Sequence, residues 1–294
     1  MDMRAILMGL AFAAMWSSAF TSARIIVAAA PPLSALALRF LISGLIAVAI
    51  ALFLRQSWRL TRTQWRATII FGICQNALYL GLNFVAMQTV EASLAAIIAS
   101  TMPLIVALLG WAVFRERLLP QATLGLLAGV AGVALIMGAR FGGGMDLFGV
   151  ALCVLGALAL AVATLTLRGA SSGGNFMMIV GLQMLIGSVA LWVPALLLET
   201  WDVTWTPRLT VAFAYTTLVP GLAATFVWVL LVDRIGAVRA ATFHFLNPFF
   251  GVAIAAALLG EDLRVLDMVG VAVIAAGILL VQTARLPSSV PGKG

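Results

Sequence analysis

Long runs of apolar residues alternate along the chain with short polar connections. A helix that crosses a bilayer needs about 20 predominantly apolar residues, and ten of the runs approach or exceed this length. The pattern predicts ten helices, at residues 5–28, 33–54, 67–87, 91–114, 120–138, 147–167, 175–197, 209–232, 236–259 and 265–283. We therefore expect an all-α membrane protein with ten transmembrane helices and almost no mass outside the membrane.

The composition excludes a soluble fold. Hydrophobic residues make up 64% of the 294 residues and charged residues 9%, with a mean hydropathy of +1.16, whereas a soluble domain is about 25% charged. The first apolar run has no cleavage site followed by a polar domain, so we interpret it as a retained first helix. Cys74 and Cys153 lie inside apolar runs, where free cysteines pack as small apolar side chains.

The net charge of +7 is explained by membrane topology and does not require nucleic-acid binding. Four arginines fall in the single connection 55–66, and cytoplasmic connections typically carry an excess of Lys and Arg. With a cytoplasmic N-terminus, eleven basic residues lie on the inner side and four on the outer side, leaving out Arg39 and Arg239 inside helices. We expect both termini to be cytoplasmic, with residues 285–294 forming a disordered tail.

The two halves of the chain resemble each other at a shift of 145 residues. Proline, glutamate and glycine positions then coincide without gaps: Pro103 with Pro248, Glu116 with Glu261, Gly125 with Gly270, and Gly132 with Gly277. Each half holds five helices, and because five is odd, equivalent helices cross the membrane in opposite directions. This predicts two inverted repeats, residues 1–141 and 146–284. Inverted repeats are typical of secondary transporters, although a duplication can also serve stability alone.

The sequence also resembles a known family. The features that carry the resemblance are Trp16-Ser-Ser-Ala-Phe20, Pro32 followed by Arg39-Phe40, an acidic residue after helices 4 and 9, and the Gly-spaced helices that follow each. Over nearly its whole length the chain is similar to the EamA-type ten-helix branch of the drug/metabolite transporter superfamily. The resemblance implies a basket-like bundle of two inverted five-helix repeats that exports small metabolites. Within the branch, the chain looks most like exporters of aromatic and other neutral amino acids in the bacterial inner membrane.

Prolines in the middle of two predicted helices point to a cavity. Pro103 and Pro248 lie well inside helices 4 and 9, where proline removes a backbone donor and kinks a helix. Backbone groups freed at that depth must face protein or a water-filled cavity. Pro220 and Gly221 in helix 8 fall, at the same shift, on Gln75-Asn76 in helix 3. We expect helices 3, 4, 8 and 9 to line a cavity, with Pro103, Pro220, Gly221 and Pro248 as hinges.

Polar and aromatic side chains near these interruptions are the candidate substrate-binding residues. The spacing of residues 75, 79 and 83 places three of them on one helix face. Amides could bind an amino acid's charged groups and aromatic rings its side chain, although such groups also join helices to one another, at about 0.6 kcal/mol per hydrogen bond. The candidates are Trp16, Phe20, Gln75, Tyr79, Asn83, Ser100, Thr101, Trp228, His244 and Asn247.

Few charged residues lie within the predicted helices. Arg39 lies about two turns into helix 2, where it either binds a carboxylate or gates the pathway, or extends its side chain to the surface. No Asp or Glu lies in the middle of a helix, which disfavours a carboxylate-based proton pump. We interpret His244 as a pocket residue in preference to a proton relay, expect passive or weakly coupled export, and expect Glu116 and Glu261 to cap or pair at helix ends.

Other classes of protein fit less well. An exporter of another small metabolite or a drug remains the main alternative. The sequence lacks an HExxH motif, a nucleophile elbow and a GxxxxGK[ST] phosphate loop, which argues against an enzyme and an ATP-driven pump. A channel usually builds its filter from symmetric subunits, and here one chain can enclose a pathway by itself, as a monomer. We expect no cofactor and no metal, with a small-molecule substrate and membrane lipid as partners.

Overall fold

The computed structural model describes residues 3–115, 119–140, 146–166, 173–235, 240 and 242–284, and this part of the chain is helical without any strand. Six helices are continuous: α1 (Met3–Val27), α2 (Pro32–Phe53), α5 (Pro120–Arg140), α6 (Leu147–Thr166), α7 (Phe176–Leu198) and α10 (Val265–Thr283). Four are interrupted: α3 (Arg62–Ala86), α4 (Ala92–Ser100 and Met102–Phe114), α8 (Pro207–Leu218, Val219–Ala223 and Ala224–Ile235) and α9 (Thr242–Leu246 and Asn247–Leu259).

Length and apolarity suit most of these helices to crossing a membrane. Among the described residues, nine helices are long and apolar enough to span it, and the apolar helix at Phe243–Leu259 is shorter. Several of the predicted features lie outside the described residues. They are the start of helix 9 at residue 236, Arg239, Glu116 and the tail from residue 285.

One predicted boundary is wrong. Helix α3 begins at Arg62 and not at residue 67, because Thr61 and Gln64 form a capping box. The Thr61 hydroxyl accepts from the N–H of Gln64 at 3.3 Å, and the Gln64 side chain accepts from the N–H of Thr61 at 2.9 Å. Such reciprocal bonds satisfy two donors at a helix start, so the two arginines of the predicted connection, Arg62 and Arg66, belong to the first turns of the helix.

The interruptions of α3 and α8 are π-helical. They span Gly72–Tyr79 in α3 and Val219–Ala223 in α8, so Gln75-Asn76 and Pro220-Gly221 both lie in wide π turns. Such turns occur often at functional sites.

The interruptions of α4 and α9 are breaks at which a new helix begins. Pro103 and Pro248 are each the second residue of the second segment. Proline is tolerated in a first turn, because its missing N–H would have no helical partner there. Each proline therefore permits the break without removing a helical hydrogen bond.

Two helix pairs pack closely and antiparallel. In the α5–α10 pair, a Cβ added at Gly125 would lie 2.6 Å from the Gly277 carbonyl oxygen, and one added at Gly132 would lie 2.8 Å from that of Gly270. The residue numbers rise along one helix as they fall along the other. The α2–α7 pair behaves in the same way, with Gly44 against Leu185 and Ser188 donating to the Ala37 carbonyl at 2.8 Å. Small residues allow such close backbone approach within a membrane.

Polar contacts tie the connections at both faces of the bundle. We call the face at which α1 begins and α2 ends the N-terminal face, and the other the opposite face. At the N-terminal face, the α2–α3 connection meets the start of α7: Asn175 accepts from the N–H of Ser57 at 2.9 Å, and Gln56 accepts from that of Met178 at 3.0 Å.

At the opposite face, carboxylates bind the N-termini of helices that are distant in sequence. Glu261 accepts from the N–H groups of Ala92 and Ser93, at the start of α4, at 2.7 and 2.9 Å. Glu199 accepts from those of Leu33 and Ser34, at the start of α2, both at 2.8 Å. Carboxylates suit helix N-termini, where unpaired N–H groups and the helix dipole both favour negative charge.

A third carboxylate, Asp146, joins two further connections at this face. It accepts a hydrogen bond from the Thr89 hydroxyl at 2.5 Å. That bond, together with backbone N–H groups at the start of α6, lowers the pKa of the Asp146 carboxyl. The opposite face thus closes through contacts between connections that are distant in sequence.

Candidate functional site

A cavity of about 390 Å³ lies in the middle of the bundle, between α1, α3, α4, α6, α7, α8 and α9. Its wall includes Gln64 and Phe176, in the first turns of α3 and α7, and Thr164, in the last turn of α6. These positions are all at the N-terminal face, so the cavity reaches that face. Its far end lies near Phe20 and Tyr79, each the 18th residue of a 25-residue helix that begins at this face.

Eight of the predicted binding residues line this cavity, and so does the predicted hinge Pro103. The eight are Trp16, Phe20, Gln75, Tyr79, Ser100, Trp228, His244 and Asn247. They come from five helices, and the interruptions of α3, α4 and α9 bring Gln75, Ser100 and Asn247 to its wall. The sequence could identify these residues because polar and aromatic side chains stand out in apolar helices, near the interruptions or in the aromatic motif of α1.

Other predicted site residues lie elsewhere. Asn83 and Pro220 line a second, smaller pocket, while Thr101, Gly221 and Pro248 line neither space. Residues 75, 79 and 83 therefore do not all line one cavity. The reason is depth: each step of four residues advances about 6 Å along a helix, so Gln75 lines the cavity, Tyr79 lines both spaces and Asn83 lines only the smaller pocket. The Thr101 hydroxyl donates to its own helix, at the Ile98 carbonyl (2.7 Å).

An aromatic cluster forms one wall of the cavity. The His244 ring centroid lies 5.3 Å from that of Phe12, 5.1 Å from that of Trp228 and 6.5 Å from that of Trp16. Phe12 and Trp228 are in turn 4.7 Å apart. These separations are typical of favourable aromatic pairs. The rings are tilted or perpendicular to one another, so the cluster offers both ring faces and ring edges to a ligand.

His244 is joined to Asn247 at the cavity wall. The Asn247 amide nitrogen lies 3.0 Å from Nδ1 of His244, and the tautomer of the ring decides which of the two groups donates. This contact holds the imidazole in place beside the cavity.

Asn247 also presents an unused acceptor. Its Oδ1 is buried and has no hydrogen-bond partner among the described residues, while its backbone carbonyl accepts from the Ser17 hydroxyl at 3.1 Å. A buried polar atom without a partner costs free energy. A ligand with an N–H donor would satisfy it.

The lining also contains residues that the sequence analysis missed. They are Phe12, Ser17, Gln64, Thr68, Gln183 and Thr225. Gln64 and Thr68 escaped notice because the predicted start of α3 was too late. Gln183 could have been found, since it is the one glutamine in an otherwise apolar helix.

The described wall of the cavity carries no Asp, Glu, Lys or Arg. Its polar groups include amides, hydroxyls and one imidazole. A ligand with a net charge would leave that charge unpaired in an apolar space, which is costly. The chemistry of the wall therefore suits a neutral or zwitterionic ligand. Within the described residues, no group of three or more His, Cys, Asp or Glu side chains could hold a metal ion.

The smaller pocket, of about 40 Å³, lies beyond the far end of the cavity. Trp16, Phe20 and Tyr79 line both spaces and so form the wall between them. Arg39 lines the small pocket and is only 5% exposed. The alternative in which the Arg39 side chain extends to the membrane surface is therefore wrong.

Comparison with known proteins places the chain in a family. The sequence profile of the EamA-like transporter family matches it twice, over residues 3–138 and 147–283. The uncharacterized transporter YvbV of Bacillus subtilis is 27% identical over 270 residues, covering 92% of this chain and 88% of that protein. An uncharacterized transporter of Synechocystis is 24% identical over 291 residues, covering 91% and 86%.

The fold is also shared with a solved structure. A crystal structure with 21% sequence identity superimposes with a TM-score of 0.67, covering 95% of this chain and 96% of the other. The two profile matches together span nearly all of the chain, and the apolar helices account for its membrane location. The chain is thus a multi-pass membrane protein, and it belongs to the EamA-like transporter family.

Proposed function

We propose that this protein is a secondary transporter that exports aromatic and other neutral amino acids, such as phenylalanine, methionine and threonine, across the bacterial inner membrane. The observation that carries the proposal is the cavity: it has aromatic walls, uncharged polar groups and an unpaired acceptor at Asn247. Ligand sites are typically apolar clefts with a few well-placed polar groups, and an amino acid is zwitterionic with an apolar or small polar side chain.

Two inverted five-helix repeats, 1–141 and 146–284, would provide alternating access. The proposal is supported by the two family matches, one in each half, and by the antiparallel packing of α2 with α7 and α5 with α10, each pair five helices apart. It is also supported by the interruptions, which occur in α3 and α4 and again in α8 and α9. Transporters with inverted repeats bind substrate at the repeat interface, beside discontinuous helices.

The direction of transport follows from the orientation. The excess of Lys and Arg supports a cytoplasmic N-terminal face. The cavity then opens to the cytoplasm, while Glu199 and Glu261 close the periplasmic side. This is the state in which an exporter loads its substrate. The hinges at Pro103, Pro220, Gly221 and Pro248 would allow α4, α8 and α9 to bend as the halves exchange roles.

Counterflow into proteoliposomes tests the substrate. Purified protein is reconstituted with unlabelled phenylalanine, methionine or threonine inside, and entry of the same labelled amino acid is measured. We expect uptake above that of empty liposomes. Asn247→Leu and Tyr79→Phe should each lower it about tenfold, since an unmade hydrogen bond in a buried site costs about 1–3 kcal/mol.

Tyr215→Phe is the matched control, because Tyr215 is the other tyrosine of the chain and bonds Ser18 at 2.8 Å outside the cavity. It should retain uptake. Absence of uptake for all three amino acids, with protein that elutes as a single folded species, would refute the amino-acid substrate. Another metabolite or a drug would then be tested in the same assay.

A further inference from the structure

Arg39 is a buried cation without a described counter-ion. It lies seven residues into α2, about 10 Å from the helix start at 1.5 Å per residue, and is 5% exposed. Its Nε has no hydrogen-bond partner among the described residues, and none of their carboxylates forms an ion pair with it. Buried charges in proteins are normally paired. An unpaired arginine next to an empty space therefore indicates that an anionic group from outside the chain binds there.

The surroundings of Arg39 fix where its guanidinium lies. A Cβ added at Gly221 would lie 3.4 Å from Nη2 of Arg39 and 3.5 Å from the Ser43 hydroxyl oxygen. Gly221 belongs to the π-helical segment Val219–Ala223 of α8. The guanidinium thus lies between α2 and the interruption of α8, at one side of the small pocket.

Asn83 supplies an acceptor in the same pocket. Its side-chain nitrogen donates to the Tyr79 carbonyl at 2.8 Å. Because that carbonyl can only accept, the other atom of the amide is the oxygen. This Oδ1 is buried and has no partner among the described residues. The small pocket therefore contains an unpaired acceptor and a cation without a carboxylate partner among the described residues. The Arg39 guanidinium does contact the Phe40 ring, whose centroid lies 5.0 Å from Cζ, but this contact leaves Nε without a hydrogen bond.

This pair matches the α-ammonium and α-carboxylate groups of an amino acid. An arginine guanidinium presents planar donors that fit a carboxylate, and an amide oxygen accepts from an ammonium group. The pocket, at about 40 Å³, has room for a head group of a few atoms and no room for an aromatic side chain. No other Lys or Arg lines either space in the described part of the chain.

We propose that the small pocket is a second subsite, specific for the zwitterionic head group of the substrate, in which Arg39 binds the carboxylate and Asn83 accepts from the ammonium. The substrate reaches it when the wall of Trp16, Phe20 and Tyr79 opens, with the head group leading toward the opposite face. The direction of this movement rests on the proposed function, whereas the carboxylate site at Arg39 does not.

Binding of simple analogues tests the carboxylate site without any transport. The probes are 3-phenylpropionate, which has a carboxylate and no ammonium, its neutral amide, and 2-phenylethylamine. Affinities are measured calorimetrically with purified full-length protein in nanodiscs. We expect wild type to bind 3-phenylpropionate more tightly than the amide. Arg39→Gln should lower the affinity for 3-phenylpropionate about 30-fold, as expected for removing one partner of a buried charge pair. The same substitution should change the affinity for 2-phenylethylamine by less than about twofold.

Further variants separate a specific loss from a general one. Arg39→Lys keeps the cation without the planar fork and should lose less affinity for the carboxylate than Arg39→Gln. Asn83→Leu should lower the affinity for 2-phenylethylamine more than the affinity for 3-phenylpropionate. Arg59→Gln removes an exposed arginine of the α2–α3 connection and should change neither affinity. The comparison of the acid with its amide needs only the wild-type protein, so it tests the carboxylate site even if a variant fails to fold.

The outcomes decide between the two proposals. Equal binding of 3-phenylpropionate and its amide by wild type, or unchanged carboxylate binding in Arg39→Gln, overturns the subsite. Arg39-dependent carboxylate binding supports it. If that binding is found and wild type transports no amino acid, the subsite stands and the proposed substrate fails.

Discussion

Asn247 and His244 show how much single side chains determine at this site. The amide of Asn247 contacts the His244 ring, and the rings of Phe12, Trp16 and Trp228 pack around it. The imidazole therefore adds hydrogen-bonding capacity and aromatic surface to the cavity wall. Under the proposed function, its role is to contact the substrate and not to relay protons.

His244→Gln provides the corresponding test. Glutamine can still bond to Asn247 but cannot be protonated near neutral pH. We expect this variant to retain at least about half of wild-type counterflow, because the hydrogen bond is preserved. Both proteins should keep their activity when a protonophore collapses an imposed pH gradient. If wild-type counterflow is instead lost when the gradient collapses, and folded His244→Gln no longer responds to the gradient, His244 acts as a proton relay.

At this scale the sequence predicted residues whose type and position both stand out. Trp16 and Phe20 belong to a motif, and Asn247 precedes a proline in an apolar helix. Asn83 and Thr101 lie outside the main cavity for reasons that residue spacing does not show. Asn83 lies one turn deeper than Tyr79, in the smaller pocket, and the Thr101 hydroxyl bonds to its own helix, as helical threonines tend to do.

At the scale of helices, apolar run length predicted most boundaries, since the bilayer imposes the length. The start of α3 was missed because the charged Arg62 and Arg66 resemble residues of a loop. The capping box that starts the helix is a local feature, which the length of an apolar run does not reveal. Run length also cannot reveal a π turn. The glycine spacing of α5, including Gly125 and Gly132, indicates close helix packing but does not say that the partner helix is α10.

Gly277→Ala tests that packing. A Cβ added at Gly277 would lie 2.6 Å from the Gly125 carbonyl oxygen and 2.9 Å from the Gly129 nitrogen, and backbone atoms cannot move aside easily. We expect the free energy of unfolding to fall by about 1–3 kcal/mol, as is usual for overpacking, seen as a lower midpoint of thermal unfolding in detergent.

Gly138→Ala is the matched control for this substitution. Gly138 lies in the same helix pair, on α5, and a Cβ there would meet no described atom within 4 Å. Its midpoint should be unchanged or slightly raised, since alanine favours helix over glycine. Equal midpoints for Gly277→Ala and wild type would show that the pair tolerates separation.

At the scale of the whole molecule, the bundle is open on one face and closed on the other. The sequence predicted helix number and internal similarity, because both follow from composition and pattern. The open face could not be predicted, since it depends on contacts between distant connections, such as that of Glu261 with α4. These contacts are not encoded in any one helix.

Thiol labelling tests the open and closed faces in membrane vesicles of known orientation. In a background carrying Cys74→Ala and Cys153→Ala, Gln64→Cys and Gln75→Cys should react with a membrane-impermeant maleimide from the cytoplasmic side only. Asn83→Cys, beyond the aromatic wall, should react from neither side. Thr200→Cys, in the exposed α7–α8 connection, should react from the periplasmic side. Labelling of Gln75→Cys from the periplasm would contradict the inward-open state.

The carboxylate of Glu261 has a consequence for the proposed alternating access. Parting the closed face would break its two hydrogen bonds to the first turn of α4, at the membrane surface, where water can replace each lost partner. Hydrogen bonds exchanged for water contribute only about 1.5–3 kcal/mol each when one group is charged. The Glu261 contact would therefore add only a small part of the activation barrier to opening, and its bonds could re-form without a chemical energy source.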